Sequence, residues 1–203
     1  GEILLKVEGC AIGERDIDAW FHGTGRIPRV PGSEIVGTVV SSYEGQSDNI
    51  VPLFGARAHH FEAGTRVVVS PFVESSPQFE HFGDGGSKRS VHRGGTGETV
   101  GVGDMVGIDR DGGFQEYVVV PIRTCHRVPR EAPLASLLCV PALAEAVSFL
   151  DELAVEAGES VLIAGAEGIG ALSAVAAAAR GAIPILVDTN EARLDQASKA
   201  GIE

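Results

Sequence analysis

The residues best suited to do chemistry lie late in the chain, in the run Gly165-Ala166-Glu167-Gly168-Ile169-Gly170. An apolar stretch, Ser160-Val161-Leu162-Ile163-Ala164, precedes it, and an alanine-rich stretch over residues 168–180 follows. A glycine turn between a strand and a helix does three things: it reverses the chain tightly, lets backbone approach a phosphate, and lets the helix pack close to the strand. The helix start then presents unpaired N–H groups and the positive end of its dipole to an anion. A second apolar stretch, residues 183–188, ends on Asp188, a carboxylate placed to accept hydrogen bonds from ribose hydroxyls. The candidate cofactor-binding residues are therefore Gly165, Gly168, Ile169, Gly170 and Asp188. An acid at that place favours NAD and makes NADP the poorer ligand, because it repels a 2′-phosphate. The pattern is imperfect, because Glu167 stands at the middle glycine position. A carboxylate about 4 Å from a pyrophosphate costs about 4 kcal/mol at an effective dielectric of 20. The cost shrinks if the side chain turns to solvent.

The surrounding elements must hold this turn. Residues 160–165 and 183–188 read as continuous apolar strands, typical of a parallel sheet buried on both faces. Residues 190–200 read as an amphipathic helix capped by Thr189 or Asn190 and stopped by Gly201. Strand, helix, strand, helix make a βαβ unit with a right-handed crossover. Upstream, residues 132–154 are rich in Ala and Leu and predict helix, with Pro141 opening a second segment. The first 130 or so residues differ in character. Residues 2–8, 34–43, 66–73 and 114–120 are strand-like, separated by turn signals at Pro31-Gly32, Ala63-Gly64 and Asp111-Gly112-Gly113. They predict a β-rich, barrel-like domain. Residues 83–103 are glycine-rich without apolar periodicity and read as a long loop.

Bulk properties narrow the partners. A chain of 203 residues suits one large domain or two small ones. A net charge of −12 argues against a nucleic-acid partner, which needs clustered Lys and Arg. No apolar run reaches the length of a membrane span. The three cysteines, Cys10, Cys125 and Cys139, form neither a disulfide framework nor a CxxC knuckle, so a reducing, cytoplasmic setting is expected.

Taken in order, EILLKVEGCAIGERD, PGSEIVGTVV, FEAGTRVVV, DRDGGFQEYVVVP, GESVLIAGAEGIGAL and VDTNEARLDQASKAG span nearly the whole chain. Together they resemble the successive blocks of the medium-chain dehydrogenase/reductase family, the zinc alcohol dehydrogenase-like proteins. The resemblance implies an α/β chain: a GroES-like catalytic domain over residues 1–140, then the start of a Rossmann-type doubly wound parallel sheet over residues 141–203. A complete sheet of that kind needs about four further strands, so the chain reads as truncated. A homodimer is expected only if the missing Rossmann half is present. The family's ribose acid falls on Asp188, and the basic residue that lies against adenosine falls on Arg193.

The resemblance also exposes departures. The zinc-dependent first block resembles C-G-[ST]-D-x-H, and here reads Gly13-Glu14-Arg15-Asp16-Ile17-Asp18. The zinc cysteine thus falls on Gly13, the proton-relay hydroxyl on Arg15 and the relay histidine on Asp18. The G-H-E block reads Gly32-Ser33-Glu34, so the zinc histidine falls on Ser33 and only Glu34 is kept. The third ligand position falls on Val140 or Cys139. Glycine has no ligand atom and serine is a poor zinc ligand, so no catalytic zinc is expected. The structural-zinc lobe carries no cysteine here, and His59, His60, His81 and His92 read as solvated. The expected function is a zinc-independent, NAD(H)-dependent oxidoreductase acting on a small-molecule alcohol or carbonyl, or an activated double bond. Arg15 would stabilise an oxyanion, Asp18 or Glu34 would exchange a proton, and Ser33 would line the site. The alternative is a non-catalytic family member that serves as a binding or scaffold protein.

Overall fold

A computed structural model describes residues 1–22, 30–43, 61–73, 90–91, 100–101 and 105–202. The described residues form two compact units, Gly1–Leu138 and Cys139–Glu203.

The first unit is built on β1 (Glu2–Ala11) and β2 (Glu34–Tyr43), joined through helix α1 (Glu14–His22). Strand β1 buries Ile3 and Leu5, the alternate positions that a strand turns to one face. It pairs antiparallel with β2 from Glu2↔Tyr43 to Ala11↔Glu34, with irregularities between Leu4 and Leu5 and between Val7 and Gly9. Strand β3 (Arg66–Val69) continues the sheet beyond β2, and the two-residue pieces β4 (Ser90–Val91) and β5 (Val100–Gly101) pair with each other. Strands β6 (Tyr117–Pro121) and β7 (Cys125–Arg127) complete a five-stranded sheet of order β6-β1-β2-β3-β7. Its core gathers Ile3, Leu5, Ile35, Val39, Val67 and Val118, and the short helix α2 (Leu134–Leu138) closes the unit.

Three sequence expectations change here. Strand β3 stops at Val69 rather than running to residue 73: Ser70 N–H still bonds Thr124 O, its neighbour in the β3–β7 register, and Pro71 has no N–H to extend the ladder. Strand β6 starts at Tyr117 rather than 114, because the N–H groups of Gly112, Gly113 and Phe114 are committed to the carbonyls of Val30, Gly32 and Pro31. The stretch 83–103, read as loop, contains the β4–β5 ladder; its other residues lie outside the described set.

The second unit runs α3 (Val140–Glu152), β8 (Ser160–Ala164), α4 (Gly168–Ala179), β9 (Ile183–Val187) and α5 (Glu191–Lys199). Pro141 lies in the first turn of α3, as predicted. Strands β8 and β9 are parallel, in register from Ser160↔Ile183 to Ala164↔Val187. The Asn190 side chain, one of the two caps considered, accepts from Ala192 N–H at 3.0 Å. Burial of the sheet on both faces is not observed. Val161, Ile163 and Leu186 pack against the small residues of α4 and α5, such as Ala174, Ala177 and Ala197. Leu162, Ile183, Ile185 and Val187 point the other way and are exposed, Leu162 at 69%. A strand alternates sides, and the packed helices cover one of them.

Leu5 is fully buried in the first unit's core. Leu5→Ala should therefore lower stability by about 2–5 kcal/mol, read by urea unfolding followed with far-UV circular dichroism. A loss below about 1 kcal/mol would contradict the core assignment.

Candidate functional site

In the first unit the candidate residues collect where β1 ends, α1 begins and β2 begins. Asp16 organises this junction. Its side chain is buried, with Oδ2 accepting Gly13 N–H and Oδ1 accepting Gly32 N–H, both at 2.9 Å. One carboxylate thus caps the start of α1 and pins the turn that leads into β2. That turn is also clamped backbone to backbone. Gly113 N–H donates to Gly32 O at 2.8 Å, and a Cβ on Gly112 would sit 2.1 Å from Gly32 O. Only glycine permits that approach.

Ser33, next in the turn, is 1% exposed, and Glu34 is half-buried at the head of β2. Glu34 bends back over α1: a Cβ on Gly13 would lie 2.9 Å from Glu34 Oε1. Arg15 lies with its guanidinium 5.3 Å from the centre of the Phe72 ring, a cation–π contact. Asp18 is exposed on α1, about 200° around the helix from Asp16. The structure therefore brings Gly13, Asp16, Ser33 and Glu34 together, and stations Arg15 on Phe72. Cys10 lies behind this junction. Burial, with the negative charges of Asp16 and Glu34 adding to it, pushes its thiol up to about 12, so it stays protonated at neutral pH.

A tetrahedral zinc of the family type does not fit these donors. Gly13 and Ser33 supply no thiolate or imidazole, and both oxygens of Asp16 already accept backbone N–H groups. Among the described residues, no three of His, Cys, Asp and Glu gather as metal ligands.

In the second unit the glycine turn closes as its residue types dictate. Gly165 adopts φ +103° and Gly168 φ +52°, and a Cβ on Gly170 would lie 2.0 Å from Gly165 O. No atom lies within 4 Å of the place a Cβ would take on Gly165 or Gly168, so the cradle is open on that side. Glu167 is the N-cap of α4 and makes no side-chain cap bond, leaving the first-turn N–H groups of Gly168 and Ile169 for an outside acceptor. Asp188 stands just beyond β9, its Oδ2 accepting Ala166 N–H and its Oδ1 accepting Asn190 N–H, each at 2.8 Å. These bonds, the one from Ala166 first, and then the Arg193 charge hold its carboxyl below the ordinary range. Glu167 pairs with Arg193, its Oε1 2.7 Å from Arg193 Nη2. Sequence reasoning missed that pairing. Its signal was a carboxylate at a glycine position with Arg193 one turn into the following helix.

An antiparallel β unit with an acid-clamped turn, followed by a parallel βαβ unit with a glycine turn and a terminal acid, defines a dehydrogenase-type architecture. The alcohol dehydrogenase GroES-like domain family matches residues 1–130. The chain belongs to the medium-chain dehydrogenase/reductase family. It is similar to an uncharacterized zinc-type alcohol dehydrogenase-like protein of Haemophilus influenzae, 34% identical over 205 residues, covering 100% of this chain and 53% of that protein. It is also similar to an L-threonine 3-dehydrogenase of Vibrio parahaemolyticus, 32% identical over 214 residues, covering 99% of this chain and 53% of that protein. Among solved structures, galactitol-1-phosphate dehydrogenase from Escherichia coli shares the fold, with a TM-score of 0.74 at 21% identity, over 98% of this chain and 52% of that one. The chain thus spans about half the length of the curated relatives it matches. No helix among the described residues is long and apolar enough to cross a membrane.

Because the folded-state value of Asp188 is lowered, its stabilisation is complete above an unfolded value of about 3.9 and is lost as pH falls through the folded value. Carbon-13 titration of the carboxyl should give a midpoint below about 3.9. Arg193→Ala should raise that midpoint while leaving it depressed, because the backbone bonds dominate. A wild-type midpoint at or above the ordinary value would contradict the clamp.

Proposed function

We propose that this chain is the substrate-binding domain and the first part of the nucleotide-binding domain of a zinc-independent, NAD(H)-dependent oxidoreductase. Its substrate is an alcohol or carbonyl, or an activated double bond, of a small molecule. The observation that carries the cofactor half is the clamp between Asp188 and the glycine turn at Ala166 N. It fixes a carboxylate beside an open glycine cradle at a helix start, an arrangement suited to a diphosphate bonded to a ribose.

In this reading, Gly165, Gly168, Ile169 and Gly170 form the floor on which a pyrophosphate rests. The α4 N-terminus supplies N–H groups and dipole to it. Two of Asp188's lone-pair positions accept backbone N–H groups, which leaves others for ribose hydroxyls. NAD, when bound, supplies the hydride chemistry; the protein supplies position and charge. At the other site, Arg15 has the charge to stabilise an oxyanion and Glu34 is the group to exchange a proton, while Ser33, buried in the turn, helps to place them. Asp18, exposed on α1, is the second proton-exchange candidate. The zinc-free half of the proposal rests on Gly13, whose missing side chain leaves the space that Glu34 approaches. The likeness to dehydrogenases of alcohols and of L-threonine supports the reaction class. The acidic balance, −12 overall, supports small-molecule rather than nucleic-acid partners, and the absence of a disulfide framework among the cysteines supports a cytoplasmic setting.

Titration of NADH against the protein, followed by the nucleotide's own fluorescence, should saturate with a dissociation constant below about 1 mM. No binding up to millimolar nucleotide would remove the oxidoreductase reading of this chain and favour the non-catalytic binding or scaffold alternative. The purified protein should also carry far less than one zinc per chain by elemental analysis. Gly13→Cys should not restore it, since Ser33 still supplies no imidazole and both Asp16 oxygens stay bonded to backbone N–H groups. Stoichiometric zinc in the wild type would overturn the zinc-free assignment.

A further inference from the structure

The second unit holds one arrangement that phosphate binding does not call for: the Arg193 guanidinium sits between two carboxylates. Its Nη2 is 2.7 Å from Glu167 Oε1 and its Nη1 is 3.8 Å from Asp188 Oδ2. Asp188 Oδ2 is in turn held by Ala166 N–H at 2.8 Å. A polar strap therefore runs from the middle of the glycine turn to the first turn of α5. The other cations of this unit are placed elsewhere. Arg180 follows α4 at its far end, 2.6 Å from Asp151, and Lys199 is the last residue of α5.

A 2′-phosphate on adenosine needs a cation with free donors near the ribose acid, and Arg is the residue whose fork matches it. Arg193 has the position and the chemistry, but its charge is already answered by Glu167 and Asp188. One cation against two carboxylates leaves the corner net negative. A phosphate monoester carries about −1.5 to −2 at neutral pH, and it would meet this corner as a like charge. A free 2′-hydroxyl would instead donate to Asp188.

We infer that Glu167 is a specificity-determining residue of the nucleotide site: by engaging Arg193 it withholds the one cation a 2′-phosphate would use, and so restricts the site to nucleotides with a free 2′-hydroxyl. This inference rests on the nucleotide-binding reading above. It gives the residue at the irregular glycine position a role beyond a tolerated defect. Glu167 is 63% exposed and Arg193 is 38% exposed, so solvent screens the pair and the effect is moderate.

Isothermal titration of NADH and NADPH against the wild type, Glu167→Gln and Glu167→Gly tests it at low ionic strength. The Gln variant keeps shape and removes charge; the Gly variant restores the glycine spacing. Both should lower the ratio of NADPH to NADH dissociation constants by roughly tenfold, an effect that shrinks as salt rises. An unchanged ratio in variants that still bind NADH overturns the inference and leaves the oxidoreductase reading intact. If neither wild type nor variants bind either nucleotide, both fall together. If the wild type binds neither and the variants bind NADPH, Glu167 does govern the site and the cofactor reading of the native chain is the one that falls.

Discussion

A single device organises both units: a carboxylate that accepts two backbone N–H groups from separate segments. Asp16 takes Gly13 and Gly32; Asp188 takes Ala166 and Asn190. Each ties a turn to the start of an element, where N–H groups otherwise lack partners. Leaving such a buried donor unsatisfied costs about 1–3 kcal/mol. The Asp16 clamp therefore sets where α1 begins and how the 30–34 turn lies, and with them the places of Ser33 and Glu34. The Asp188 clamp sets the glycine turn against the end of β9.

Around the first clamp, the candidate residues form a connected set. Glycine at position 13 provides space, Glu34 reaches into it, and Ser33 sits buried in the turn between. Arg15 is drawn to Phe72 rather than left to sample solvent. Gly32 and Gly112 meet backbone to backbone, so the turn has little freedom to move. The junction holds carboxylate, hydroxyl and guanidinium groups close together, with a half-buried, neutral Cys10 thiol behind them.

The second unit shows how an irregular motif is accommodated. A carboxylate at the middle of a glycine turn looks costly when only the turn is considered. The cost assumes that the charge faces the phosphate. The Arg193 contact gives the Glu167 charge a cationic partner, while Gly165 and Gly170 still make the tight reversal. The uncovered face of the β8–β9 sheet carries Leu162, Ile183, Ile185 and Val187, an apolar surface of the kind parallel sheets elsewhere cover with helices.

Much was legible in the sequence because it depends on local chemistry. Strands β1 and β2 follow from strand-forming residues set off by turn signals, the glycine turn from residue types alone, α5 from its amphipathic pattern and its cap, and the family from the order of the blocks. The absence of a thiolate at position 13 and of an imidazole at position 33 is equally a matter of residue type. Tertiary structure decided the rest, because it depends on groups distant in the chain. Strand β3 ends near Val69 because Pro71 has no N–H to carry the β7 ladder further, and β6 starts late because the 30–32 turn takes the preceding ones. Both apolar strands of the second unit read as buried on two sides, yet only packing partners decide burial, and among the described residues they lie on one side. In the sequence Asp16 is one acid of the 13–18 block, and it became a structural clamp only when Gly32 was brought to it. The direction of Glu167 was set by Arg193, 26 residues on, through an ion pair that only the folded βαβ unit can form.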